Sequence, residues 1–383
     1  MFLPRLGAVL LLAALKSFLD NTMMPIRSQT AALLTAMALL TACPALGAVF
    51  ADVLAQPAQM SPLASRSLLQ GVSRVGDRLV AVGQRGHIVV STDGGTTWKQ
   101  SPVPVSSDLT AVYFINEKKG WAVGHDGVIL HSADGGASWS LQLDGRRAND
   151  LLLADIKAKA GAHPGSAEVN SLLAEAERHH EQGADKPFLD VWFADENIGF
   201  VVGAYNLIFR TGDGGKTWAP WFDRTDNAKF LNLYAIRAAA GSVYIAGEAG
   251  LVLRLDGDGQ RFSAVNPDYK GSFFGVLGDA NMVLVHGLRG NAFRSADGGK
   301  NWVKVEAGLP ATIVGGTVLA RGAIVLADVS GRVAISTDAG ASWKPVPLPT
   351  SMMLAGVADA GNDRVALFGP RGIVIAPLAA SRP

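Results

Sequence analysis

The short motif Ser/Thr-x-Asp-x-Gly-x-x-Trp occurs five times along the chain, with copies about forty residues apart or twice that distance. A period of this length is typical of β-propeller blades or of helical solenoids. The residues between the copies alternate as strands do, which favours the propeller. Each copy contributes one aspartate and one tryptophan: Asp93 and Trp98, Asp134 and Trp139, Asp213 and Trp218, Asp297 and Trp302, Asp338 and Trp343.

The chemistry of this motif predicts a folding device. An aspartate at this position can accept backbone N–H groups of its own turn, and the following glycines allow a positive φ. The tryptophan then begins the next strand and can pack over the turn. We therefore interpret these ten residues as structural and assign the aspartates no catalytic role.

A second repeated element lies six to ten residues upstream of the motif. It is a Gly-x-x-Gly tetrapeptide between two apolar runs, which predicts a tight hairpin. Blade three has Asn206 in the place of the last glycine, and asparagine tolerates the left-handed conformation next best. The clear copies are residues 83–86, 124–127, 247–250, 287–290 and 369–372, with 328–331 as a variant.

Together the two elements define seven units and predict an all-β fold, a seven-bladed β-propeller over residues 49–383. The seventh unit ends after its third strand. We expect residues 51–62 to supply the missing outer strand, because propellers close their ring and hide the last sheet edge. The units begin near Leu68, Leu109, Phe188, Leu233, Phe273, Ile313 and Leu354.

Residues 146–187 interrupt the repeat between blades two and three. This stretch is rich in Ala, Leu, Glu and Lys, and it predicts a helical hairpin over residues 148–160 and 166–181, broken at a Gly- and Pro-containing turn. Two interpretations stand: an elaborated loop without a function of its own, or a docking arm for a partner.

The order of strands in a propeller blade places the Gly-x-x-Gly turns and the blade connections on one face. The insertion should therefore share a face with Arg85, Arg289 and Arg371, and with Tyr205 and Asp126. Arginine side chains suit the capture of carboxylates or backbone carbonyls. These five residues are our candidate partner contacts; the alternative is that each is an ordinary solvated turn residue.

The N-terminus reads as a targeting segment, residues 1–48, whose true translation start is Met23 or Met24. The one cysteine, Cys43, ends a Leu-Thr-Ala-Cys sequence that matches a bacterial lipobox. Lipidation at Cys43 and cleavage after Ala48 or Ala51 both remain open. In either case we expect an exported, periplasmic protein without a disulfide.

Composition and charge narrow the partners. The net charge is +1, and the sequence has no basic stripe of the kind that nucleic-acid binding needs. Proteins or small ligands are therefore the favoured partners. We expect the protein to be a monomer on its own. His179 and His180 are adjacent on a predicted helix and cannot chelate one ion as histidines at i and i+4 can. We expect no metal and no cofactor.

The repeats resemble bacterial neuraminidase (BNR, or Asp-box) repeats. The ring is similar to the photosystem II assembly and stability factor family, in particular to its exported proteobacterial relatives, over Leu68 to Ile375. Residues 80–87, 120–124 and 185–193 carry this resemblance, while the helical insertion departs from the photosynthetic members. The resemblance implies a non-catalytic scaffold for a membrane protein complex. The proteobacterial relatives further imply an accessory role for transporters of the resistance-nodulation-division (RND) class.

The alternative is a glycan-binding protein or a glycoside hydrolase of the Asp-box propeller type. Such a hydrolase needs two carboxylates across the sugar, and Asp190, Asp195 and Asp328 are candidates near the inner strands. The sequence gives no reason to pair any two of them. The Phe-Arg-Ile-Pro sequence of sialidases is absent, so we expect no enzyme.

Overall fold

Seven antiparallel sheets follow one another along the computed structural model, which describes residues 51–348 and 352–378. The first six sheets have four strands each and the seventh has three. The first strands of neighbouring sheets contact each other around the ring, so they form its inner wall. This arrangement confirms the predicted seven-bladed β-propeller. The predicted leader, with Met23, Met24 and Cys43, lies outside the described residues.

The strands are short, as the spacing of turns in the sequence requires. Blades one to three contain β1 Leu69–Val75, β2 Arg78–Gly83, β3 Ile88–Ser91, β4 Lys99–Gln100, β5 Leu109–Phe114, β6 Gly120–Gly124, β7 Ile129–Ser132, β8 Ser140–Leu143, β9 Phe188–Phe193, β10 Gly199–Gly203, β11 Ile208–Thr211 and β12 Ala219–Pro220. Blades four and five contain β13 Leu233–Ala239, β14 Ser242–Gly247, β15 Val252–Leu255, β16 Phe262–Val265, β17 Phe273–Gly278, β18 Val283–Gly287, β19 Ala292–Ser295 and β20 Val303–Val305. Blades six and seven contain β21 Ile313–Val318, β22 Ile324–Asp328, β23 Val333–Ser336, β24 Lys344–Val346, β25 Gly356–Gly361, β26 Arg364–Gly369 and β27 Gly372–Pro377.

The hydrophobic core lies between blades rather than at the centre of the ring. Each pair of neighbouring blades buries its own apolar cluster, for example Val82 with Leu109 between blades one and two, and Phe200 with Ile236 between blades three and four. The interface between blades two and three is special, because Leu152 and Ile156 of the insertion join it. Burial of apolar area thus holds the ring together blade by blade.

The Asp-box turns take the geometry that the sequence predicts. Asp93 accepts the backbone N–H of Thr97 at 2.9 Å, and the Trp98 indole donates to the backbone oxygen of Gly95 at 3.1 Å. Hydrogen bonds from Thr97 and Ser91 lower the pKa of Asp93 to about 2. The hydroxyl of Ser91 also accepts the N–H of Gly95 at 2.8 Å, so the leading Ser/Thr is a working part of the turn.

The predicted closure of the ring by residues 51–62 is wrong. Within the described residues the seventh blade has three strands, and β25 and β26 pack directly on β1. An ion pair of 3.0 Å between Arg74 and Asp359 joins the two blades. The N-terminal segment instead follows the outer part of blade one, where Ala58 donates to the backbone oxygen of Val103 at 3.0 Å.

The insertion is a pair of helices, α1 (Gly145–Ala162) and α2 (Ala167–Gln182), as predicted. The side chain of Asp144 accepts from the backbone of Arg147, and that of Ser166 accepts from Val169, so each helix begins at a capping residue. The helices pack on each other, and α1 also packs on β12. We call residues 145–182 the arm.

Candidate functional site

The arm shares a face of the ring with the turns that follow the second strand of each blade. A Cβ atom added at Gly127, in the turn of blade two, would lie 2.5 Å from the Cα of Gly145, where the arm begins. The ring of His179 in α2 lies 6.3 Å from the ring of Tyr205 in the turn of blade three. We call this side, with the arm and the turns at residues 84–86, 125–127, 204–206, 248–250, 288–290 and 370–371, the insertion face.

Five of these turns hold a residue other than glycine in the left-handed conformation at the same position. Such residues are uncommon and persist where the surrounding structure holds them. Four of the five side chains are exposed and that of Asp126 is half-buried, so this position sets the chemistry of the insertion face. The five residues, with φ between 52° and 57°, are Arg85, Asp126, Tyr205, Ala249 and Arg289.

Hydrogen bonds to the next blade hold these left-handed residues in place. The backbone N–H of Arg85 donates to Asp108 Oδ1 at 2.6 Å, and that of Tyr205 donates to Asn232 Oδ1 at 2.9 Å. Asp108 and Asn232 each stand just before the first strand of the following blade. The turns are therefore positioned by the junctions between blades, which makes the insertion face a rigid surface. The sequence analysis missed this role, although a polar residue before the inner strand is a visible signal.

The three candidate arginines are all exposed on this face. Among the described residues, none of the three forms a salt bridge, so their guanidinium groups are available for a ligand. Arg85 and Arg289 occupy equivalent turns, whereas Arg371 lies in a two-residue turn after Pro370, which cannot adopt a positive φ. Blade seven packs on blade one, which makes the blades of Arg371 and Arg85 neighbours in the ring.

Tyr205 and Asp126 lie close to the arm. Tyr205 is 50% exposed, and Lys186 Nζ, just after the arm, lies 5.4 Å from the centre of its ring. The hydrogen bond and the charge of Asp52 raise the pKa of the Arg146 guanidinium, in the first turn of α1, and the charges of Asp144 and Asp126 make smaller contributions. Tyr205 therefore helps to seat the arm, whereas Asp126 lies near its first turn, and both residues form part of the insertion face.

A buried histidine lies at the centre of the arm's contact with the ring. His179 is fully buried and packs edge-on against Phe222, with ring centres 5.8 Å apart. Burial first, and then the charge of Lys186, lower the pKa of His179 to about 4. Its Nε2 lies 3.3 Å from Glu175 Oε1, but that contact lacks hydrogen-bond geometry. Since burial keeps the ring neutral, we do not regard this contact as an ion pair.

This burial predicts a pH dependence of stability. The folded pKa of His179 lies below its ordinary value of 6.5, so the unfolded state binds the proton more readily and stability falls as the pH drops from about 6.5 to about 4. The free energy of unfolding should be about 2 kcal/mol lower at pH 5 than at pH 8 from this group alone. Urea unfolding of the wild type and of His179→Leu at both pH values measures the difference.

His180→Leu is the matched control, because His180 is the exposed neighbour on the same helix. We expect this control to keep the pH dependence of the wild type, and His179→Leu to lose about 2 kcal/mol of it. If the stability of all three proteins depended on pH to the same extent, burial would not lower the pKa of His179 in the folded protein.

The three carboxylates considered for glycoside hydrolysis have separate structural roles. Asp190 Oδ2 accepts from the backbone of Ile236 at 2.9 Å and from Arg237 at 2.5 Å, which links blades three and four. Asp195 accepts two backbone N–H groups in the turn between β9 and β10, on the opposite face. Asp328 accepts from Ser330 and Arg332 in the turn of blade six. No two of these carboxylates are brought together.

Two further observations concern the described ranges, 51–348 and 352–378. Within those ranges, no group of three or more His, Cys, Asp or Glu side chains is arranged so that it could hold a metal ion. None of the helices in those ranges combines the length and the apolar character that crossing a membrane requires.

The blades and part of the arm match a known protein family. The family model described as "Photosynthesis system II assembly factor YCF48" matches residues 75–152 and 173–302, more than half of the chain. The chain belongs to this family. The match omits residues 153–172, which form the end of α1, the connecting turn and the start of α2. We call these residues the tip of the arm.

A sequence relative belongs to the same family. The "Photosystem II assembly lipoprotein Ycf48" of Synechococcus sp. (strain CC9902) is 32% identical over 122 residues. That match covers 30% of this chain and about a third, 35%, of the relative's length.

Solved structures of the family share the fold. A structure of "YCF48 bound to D1 peptide" has a TM-score of 0.57 at 17% identity, covering 85% of this chain and 96% of that one. YCF48 from Cyanidioschyzon merolae has a TM-score of 0.58 at 15% identity, covering 84% and 98%. At 17% and 15% identity, these two structures show that the chain shares the propeller fold.

Proposed function

We propose that this protein is a non-catalytic, exported scaffold that binds a membrane protein complex through its insertion face and assists the assembly or stability of that complex. The observation that carries the proposal is the set of left-handed turn residues. Arg85, Asp126, Tyr205, Ala249 and Arg289 occupy a conformation that costs each of them free energy, and most of them present an exposed side chain on one face. A surface held in this way suits recognition better than it suits stability.

The chemistry of the face indicates what it recognises. Arg85, Arg289 and Arg371 offer planar donor groups that match carboxylates and backbone carbonyls. A peptide segment with acidic side chains or a free carboxylate could accept hydrogen bonds from all three arginines. A family member has been solved with a D1 peptide bound, which supports a peptide segment of a membrane protein as the ligand here.

The proposal also includes where the protein lies in the cell and which complex it binds. We propose export to the periplasm, with Cys43 as a lipid anchor; a relative named as a lipoprotein supports this choice. The tip of the arm, which the family model does not match, supports a partner particular to this branch of the family. We propose a transporter of the RND class as that partner, with the present protein as its accessory.

The test is a charge reversal at the three arginines. We expect Arg85→Glu, Arg289→Glu and Arg371→Glu, combined in the mature protein, to reduce recovery of the partner complex from detergent-solubilised membranes at least about tenfold. Each lost Arg–carboxylate contact is worth about 1.5–3 kcal/mol, which is a loss of affinity of about tenfold or more. Affinity capture followed by mass spectrometry measures the recovery.

The matched control reverses three exposed cations on the opposite face, Lys216, Lys300 and Arg321, and so changes the net charge equally. We expect this control to recover the partner as the wild type does. If both triple variants lose the partner alike, net charge and not the insertion face drives binding. Unchanged recovery with the folded arginine variant would refute the proposal.

A further inference from the structure

A cavity of about 600 Å³ lies between the start of α2 and the connection from blade three to blade four. This volume is within the usual range of small-molecule sites. Ser171 and Leu172 of α2 form one wall, and Phe222, Asp223 and Phe230 of the connection form the other. Residues 167–172 of the α2 wall belong to the tip of the arm, which the family model does not match.

The aromatic wall of the cavity is held in a strained conformation. The rings of Phe222 and Phe230 are nearly parallel and offset, with centres 5.4 Å apart and planes 11° apart. Phe230 has a φ of 53°, which is unusual for a bulky side chain. Strain of this kind is characteristic of ligand clamps. Aromatic faces attract organic cations.

Buried polar side chains give the cavity a fixed floor. Asn206, Thr225 and Asn227 line the cavity and are buried. Asn206 Oδ1 accepts from Thr225 Oγ1 and from Asn227 Nδ2, both at 3.0 Å. Asn206 also donates to the backbone oxygen of Phe222 at 2.9 Å. Because these bonds are already made, the floor keeps its shape without a ligand.

The charges around the cavity are negative. Asp226 is neutralised by Arg261, at 2.7 Å, while Lys159 is shared between Asp223 and Asp155, each at 2.7 Å. Glu168, on the first turn of α2, also lines the cavity and has no salt bridge within the described residues. The lining carboxylates Glu168, Asp223 and Asp226 therefore face two cations, Arg261 and Lys159, which leaves a local charge of −1.

We propose that this cavity binds a small organic cation, an ammonium group attached to a flat apolar body. The half-buried ring of Phe230, which is backed by the buried ring of Phe222, receives the apolar body. Glu168 and the carboxylates of the connection attract the charge. A neutral molecule of the same shape binds more weakly because it lacks the attraction to these carboxylates, and an anion is repelled by them.

Three probes of the same shape and different charge test this site: 2-phenylethylamine, 2-phenylethanol and 3-phenylpropanoate. Binding is followed by titration calorimetry and by the methyl NMR signals of Leu172 in the full mature protein. We expect the amine to bind with a Kd below about 10 mM, and the other two at least about tenfold more weakly. Glu168→Gln should weaken the amine by a few-fold and leave 2-phenylethanol unchanged.

Blocking the cavity provides the second arm of the test. Ser171→Trp fills the cavity from an exposed helix position and should abolish amine binding. Asn170→Trp, the adjacent exposed residue outside the lining, should leave it unchanged. The proposal is overturned if the amine does not bind below about 10 mM, if the three probes bind equally, or if Ser171→Trp binds the amine as the wild type does.

Discussion

Replacing Trp121 with alanine is expected to lower the free energy of unfolding by about 3–5 kcal/mol. Trp121 is fully buried in β6 of blade two, and its ring stacks on Phe193 of blade three at 3.4 Å with planes 10° apart. It belongs to the apolar cluster that also takes in Leu152 and Ile156 of the arm. Removing the ring leaves a cavity where three parts of the fold meet.

Trp121→Phe is the control for this prediction. A phenylalanine keeps an aromatic ring against Phe193, and it removes an indole N–H that has no acceptor within the described residues. We expect this variant to lose less than about 1.5 kcal/mol. Urea unfolding of the three proteins measures the effect. A loss for the alanine variant no larger than that for phenylalanine would show that the interface between blades two and three repacks freely.

The local character of the repeats explains why so much of the fold is visible in the sequence. The Asp-box bonds between Asp93 and Thr97 span four residues, so the motif contains its own partners. The blade starts predicted at Leu109, Phe188 and Leu233 coincide with the first residues of their inner strands for the same reason. Local turn chemistry, repeated in phase, makes the blades recognisable in the sequence, while the apolar clusters between neighbouring blades hold the ring together.

The failed prediction for residues 51–62 shows the limit of that logic. The expectation came from the general need of a ring to hide its last edge, not from any pattern in the segment. The observed contacts are between distant parts of the chain: Ser106 donates to the backbone of Val53, and Ser61 to the side chain of Gln100. Such pairing depends on which surface of blade one is free.

The candidate site was predictable in part. The alternation of strands places Arg85, Arg289 and Arg371 on the insertion face, and the structure agrees with that placement. The sequence does not reveal the burial of His179 or the cavity beside Phe230. Both arise where the arm lies against the connection after blade three, a tertiary contact without a periodic signal.

Replacing Gly290 with alanine is expected to cost about 3 kcal/mol or more of stability, because two effects coincide there. The φ of Gly290 is 72°, in the left-handed region, and a Cβ atom added to it would lie 2.0 Å from the backbone oxygen of Leu309. That oxygen belongs to the connection to blade six and cannot move like a flexible side chain.

Gly308→Ala separates these two effects. Gly308 lies in the same connection with a φ of 69°, but no atom lies within 4 Å of an added Cβ. We expect it to lose about 1 kcal/mol from conformation alone, as measured by urea unfolding. If both variants lost the same free energy of unfolding, the connection would have to move away from the added Cβ atom of residue 290. If Gly290→Ala is the more costly, as expected, the turn that presents Arg289 is fixed by backbone contact, and this variant should also weaken partner capture without altering any charge on the insertion face.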